Sequence, residues 1–116
     1  MPRKTREPEP PQPDAEVWYA IRSSVNSLYE EMDKLEKKAP SSPLSELATN
    51  RVNRAIRQAK GLMAEFDPYM AELDEFVPAG ENPEVRDAVL ILGEIKAGLN
   101  RLGSVYRLSA QIGHRT

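Results

Sequence analysis

Between Ala48 and Phe76 the apolar residues fall at Ala48, Val52, Ala55, Ala59, Leu62, Phe66, Tyr69, Leu73 and Phe76, in steps alternating four and three. That spacing keeps one side of an α-helix apolar over its whole length and demands other helices to cover it. A second stripe precedes it, at Trp18, Ile21, Val25, Leu28, Met32 and Leu35, and a third follows, at Val85, Ala88, Leu92, Ile95, Leu99, Leu102 and Tyr106. The chain therefore predicts an all-α fold, an elongated antiparallel three-helix bundle with coiled-coil-like packing.

The ends of the three helices carry local signals. Asp14 is a candidate N-cap with Glu16 in the first turn, and Lys37 and Lys38 suit the C-terminal end before Pro40. The first helix is expected over about 14–38. Ser42-Pro43 and Asn82-Pro83 each place a capping side chain before a proline at the first helical position. They predict starts for a second helix over 43–77 and a third over 83–112, with Gly113 as the final stop. Pro68 lies inside the second stripe. It allows either a kink or a short break capped by Asp67, and the unbroken phase of the stripe favours the kink. Residues 1–13 hold five of the ten prolines among charged residues. They are expected to form a disordered Pro-rich tail, because such a segment has little apolar surface to bury.

With 116 residues there is room for one domain, in residues 14–116. Aromatic residues make up only 6%, so the core falls to Leu, Ile, Val, Ala and Met. The longest apolar run, Ala88 to Leu92, is far short of the ~20 residues of a membrane span, so no membrane role is expected. The basic N-terminus has no apolar stretch behind it and does not read as a secretory signal. The chain has no cysteine, which excludes disulfides and thiolate metal sites and fits a cytoplasmic location.

Several groups of side chains invite a chemical reading. Arg51, Arg54, Arg57 and Lys60, with Asn50, Asn53 and Gln58, have the composition of a phosphate-binding surface. Steps of three fall about 60° short of a turn, however, so these cations wind around the helix. Folding the first hairpin also sets Arg51 opposite Glu30 and Glu31. Together with Lys96, Arg101 and Arg107 they form the alternative reading, a nucleic-acid-associated accessory protein, which the net charge of −2 disfavours. The single histidine, His114, has no partner for catalysis or metal binding. The acidic group Glu30, Glu31, Asp33 and Glu36 lacks the Glu-x-x-His motif of bundle metal sites. No pair of side chains suits acid–base or nucleophilic work, so no enzyme, cofactor or metal is expected.

Two features point to a protein partner. Gly93, Gly98 and Gly103 each cost about 1 kcal/mol relative to alanine inside a helix. Gly93, Ala97, Asn100 and Ser104 form a stripe of small residues that would admit another helix, from this chain or a second one. The first helix is also too short to cover a second helix reaching residue 77. Tyr69, Met70, Leu73, Phe76, Val77, Val85, Val89 and Leu92 would then form an exposed two-helix overhang, with Trp18 and Tyr19 at its edge. That patch exceeds what a soluble monomer usually leaves open. The expected function is a non-catalytic protein–protein interaction module, a small oligomerising scaffold or adaptor, working as a homodimer or with a dedicated protein partner.

Overall fold

A computed structural model describes residues 12–76 and 83–113 of the chain. Among these, five helices form: α1 Ala15–Lys38, α2 Glu46–Met63, α3 Pro68–Ala71, α4 Val85–Val105 and α5 Leu108–Gly113. The three long ones, α1, α2 and α4, pack against one another, while α3 lies against α2 and α5 against α1 and α4. The expected all-α class is present, but the second and third predicted helices are each broken in two.

The first helix forms where its signals place it. The Asp14 carboxylate accepts from the backbone N–H of Glu16 and Val17 at 2.9 and 3.1 Å, satisfying two of the open donors of the first turn. Trp18, Ile21, Val25, Leu28 and Met32 are buried along one side, while Leu35, the last of the stripe, is exposed. Pro13, assigned to the tail from sequence, is buried just outside the cap; residues 1–11 lie outside the described residues.

Both proline-based helix starts are displaced. The second helix begins at Glu46 behind Ser45, whose hydroxyl accepts from Ala48 N–H. The third begins at Val85 behind Glu84, whose N–H donates to Asp87 Oδ2 at 2.8 Å. Pro43 and Glu84 instead form an isolated antiparallel bridge. Leu44 N–H donates to Pro83 O, Val85 N–H to Ser42 O and Arg86 N–H to Pro40 O, at 2.7, 3.0 and 3.2 Å. Two first-turn donors of α4 thus find carbonyls in another part of the chain. That exchange outweighs the propensity of Ser42-Pro43 to start a helix itself. Asn82, the expected cap, lies outside the described residues.

At Pro68 the chain breaks rather than kinks. Asp67 takes the extended backbone that a following proline imposes, φ −142° and ψ 101°, and caps α3 through Tyr69 and Met70 N–H. After α3 the segment 73–76 runs back along α2. The Asn53 amide holds it there: Nδ2 donates to Phe76 O at 3.0 Å, and Oδ1 accepts from Phe76 N–H at 2.8 Å. Arg57 pairs with Glu75 at 2.5 Å one turn further along.

This return reverses the direction of the third long helix. Along α1 and α4, Tyr29 lies beside Gly93, Arg22 bonds Asn100, and Trp18 meets Gly103, so the two run antiparallel. Along α1 and α2, Arg51 pairs with Glu31, again antiparallel. Helices α2 and α4 are therefore parallel to each other, not antiparallel as an up-down-up bundle would make them. The fold-back also removes the expected overhang. Met70, Leu73, Val85 and Leu92 are buried within the chain, at 1%, 7%, 5% and 0% exposure, and Phe76 and Val89 are half-buried.

Candidate interaction site

Of the residues expected to meet a partner, Phe76 and Val89 are half-buried, and the others divide into three groups. Trp18, Met70, Leu73 and Leu92 belong to the core cluster, and Val85 is buried at the start of α4. Tyr19 and Tyr69 are exposed, and Val77 lies outside the described residues. Tyr69 Oη donates to Glu94 Oε2 at 3.0 Å, and this bond to an anion holds the phenol above its usual pKa.

The small-residue stripe divides as well. A Cβ at Gly93 would meet Tyr29 of α1 in ordinary contact at 3.6 Å, and Asn100 Oδ1 accepts from Arg22 Nε of α1 at 3.0 Å. Their neighbour is thus the first helix of the same chain, while Ala97 and Ser104 remain exposed. The glycines that admit close packing are Gly98 and Gly103. A Cβ at Gly98 would lie 2.6 Å from Met70 Cε, and one at Gly103 would collide with Cζ2 of the Trp18 ring. The indole fills that space and donates Nε1–H to Leu99 O at 2.9 Å.

Two of the four cations of α2, Arg51 and Arg57, are engaged in ion pairs. Arg51 makes two bonds to the Glu31 carboxylate, at 3.2 and 2.8 Å, which hold Glu31 below its usual pKa and raise that of Arg51. Arg57 is paired with Glu75, and Asn53 is buried on the Phe76 backbone, so neither its amide nor those pairs offer an open phosphate surface. Among the described residues no three His, Cys, Asp or Glu side chains come together as a metal site, and no helix is long and apolar enough to cross a membrane.

A surface that the stripes did not single out lies on the outer side of α4. Leu90, Glu94, Ala97, Arg101 and Val105 fall at helical spacing on the side away from the buried Ala88, Leu92, Ile95 and Leu99, and all five are exposed. Leu90 and Val105 are among the most exposed large apolar side chains, at 67% and 73%. Tyr69 adds its ring beside Glu94, and Arg101 reaches Asp67 at 3.4 Å. Four of the five positions are symmetric about the Ala97–Gly98 peptide, with Ala97 beside the centre: Leu90 and Val105 are equally far from it along the helix, and so are Glu94 and Arg101. The order is apolar, acidic, small, basic, apolar. The signal was present in the sequence as a second periodicity on α4, masked by the stronger core stripe. Compared with family models, with curated proteins and with solved structures, the chain matches none.

Proposed function

We propose that the chain is a non-catalytic helical protein–protein interaction module that pairs with a second copy of itself through the outer face of α4. The symmetric order of that face carries the reading. Two such helices laid antiparallel about a twofold axis at the Ala97–Gly98 peptide set Leu90 against the partner's Val105 and Glu94 against the partner's Arg101. A twofold interface must be complementary to itself, and this stripe is. A parallel pair would set like charges opposite each other and is disfavoured.

The energy of such a contact comes from Leu90, Val105 and the Tyr69 ring. The exposed Glu94 and Arg101 fix direction and register more than affinity. From Leu90 to Val105 the face spans about 24 Å. That is small against the roughly 800 Å² per partner of a standard interface, so the dimer is a weak, reversible one. On this reading α1, α2 and α4 act as a three-helix bundle with coiled-coil-like packing, a rigid platform that presents the stripe. The absence of cysteine supports a cytoplasmic setting. The alternative, a nucleic-acid accessory role, has less support because Arg51 and Arg57 are committed to Glu31 and Glu75.

Light scattering over a concentration series tests the reading. The mass is expected to rise from 13.0 kDa toward twice that value. Leu90→Glu with Val105→Glu abolishes the rise. Glu94→Arg alone weakens it, and adding Arg101→Glu to Glu94→Arg restores it, because the swapped pair is again self-complementary. A monomer at every concentration, or a dimer indifferent to the charge swap, contradicts the proposal.

A further inference from the structure

Where the second turn of α1 meets the end of α4 and α5, an open depression of about 530 Å³ lies beside the symmetric stripe, on the edge of α4 that carries Asn100, Gly103 and Ser104. It is lined by Trp18, Ala110, Arg22, Arg107, Ser104 and Ser109, among others. The two guanidiniums are held differently. Arg22 is half-buried, bonded through Nε to Asn100 Oδ1, with its Cζ 5.5 Å from the centre of the Trp18 ring, so its direction is set before any ligand arrives. Arg107 is exposed and enters no ion pair among the described residues.

The backbone of Arg107 supplies a second, independent observation. It is the one non-glycine residue with positive φ among the described residues, at 52°, in the turn where α4 ends and α5 begins. Glycine is the favoured residue at such a helix end because it has no Cβ to strain. An arginine keeps its side chain here against the preference of the backbone. Strain of this kind concentrates at sites where a side chain has a task.

We propose that this depression binds a short acidic peptide segment, with a carboxylate between Arg22 and Arg107 and a small apolar side chain against Ala110. The arginine pair supplies planar donors matched to carboxylate oxygens, and Ser104 and Ser109 supply hydroxyls for the remaining acceptors. A nucleic acid fits less well. Trp18 is 2% exposed, with a guanidinium over its ring, so it offers no face on which a base could stack. Two cations are also too few to track a phosphate backbone, and the chain's net charge is negative. The inference is independent of the dimer, since none of these residues belongs to the stripe.

Trp18 is the only tryptophan, so its emission reports on the site directly. The probe is acetyl-Ala-Glu-Ala-Glu-Ala-amide, titrated at low salt into the full chain and into the Leu90→Glu, Val105→Glu variant. A saturable change is expected in both. Arg107→Gly and Arg22→Gln should each weaken binding at least tenfold, while Arg54→Gln leaves it unchanged. Arg107→Gly should also melt no lower than the wild type, which separates loss of the ligand contact from loss of the fold. Absence of saturable binding, or affinity unmoved by Arg107→Gly, overturns the proposal. So does tenfold tighter binding of a thymidine oligonucleotide of equal charge, which would assign the site to nucleic acid.

Discussion

Gly98 and Gly103 both lie on the buried side of α4, yet an added methyl group would meet very different neighbours. At Gly98 it meets the far end of Met70, a flexible thioether that can swing aside. At Gly103 it meets the Trp18 ring, which is fixed by its Nε1–H bond to Leu99 O and by the core around it. Alanine gains about 1 kcal/mol of helix propensity over glycine at either place. Overpacking a rigid neighbour costs typically 1–3 kcal/mol. Gly98→Ala is therefore expected to be neutral or slightly stabilising. Gly103→Ala should lose up to about 2 kcal/mol and shift the Trp18 emission. Urea denaturation of the two variants, followed by fluorescence, decides the comparison; equal midpoints would show that the indole yields as easily as the thioether.

At the scale of elements, the segment 73–76 depends on one side chain. Among the described residues Asn53 is the one polar side chain buried with the core, and both ends of its amide are spent on the backbone of Phe76. The segment has no helix or sheet of its own to satisfy that N–H and C=O, so Asn53 does the work of a neighbouring strand. Asn53→Leu removes both bonds and leaves the Phe76 groups without their partner. The cost is expected at about 2–3 kcal/mol. The effect should be local first: amide exchange at Phe76 should accelerate strongly, while exchange in the middle of α1 follows only the global loss. Unchanged exchange at Phe76 would mean that Leu73 and the Arg57–Glu75 pair hold the segment without the amide. The same reversal buries Met70 and Leu73, the side chains expected to need a second chain. An apolar stripe therefore does not by itself identify an interface, because the chain can fold back over it.

At the scale of the whole molecule, the decisive property is the direction of α4. Running parallel to α2 and antiparallel to α1, it brings its N-terminal end to the end of α1 and the start of α2, where the Pro43–Glu84 bridge joins them. The opposite end gathers the start of α1, the end of α4 and α5 around Trp18. In an up-down-up bundle the start of the third helix would instead lie about 27 Å away, the length of α2. The chain has no cysteine, so labels can be placed cleanly. Spin labels at Leu47→Cys and Arg86→Cys, both exposed positions, should give a short separation in a pulsed electron-spin distance measurement. A separation larger by the length of α2 would restore the antiparallel arrangement.

The amino-acid sequence by itself determined the helical class, the apolar side of each long helix and the cap at Asp14. These are local properties: a period near 3.6 residues decides which side chains share a face, and a carboxylate one residue before a helix satisfies its first donors whatever lies elsewhere. The Arg51–Glu31 pair was legible for a similar reason, since a short connection leaves a hairpin little choice of register. The break at Pro68, the displaced starts at Glu46 and Val85, and the direction of α4 were decided only by tertiary structure. An apolar stripe reads equally well in either direction, so periodicity cannot choose between parallel and antiparallel neighbours. Whether Pro68 kinks or breaks the helix depended on what the freed segment could bind, and Asn53, Gly98 and α4 supplied the answer at long range. The outer stripe of α4 became meaningful for the same reason. Its residues were always visible in the sequence, but only the packing of the other face left them open to solvent.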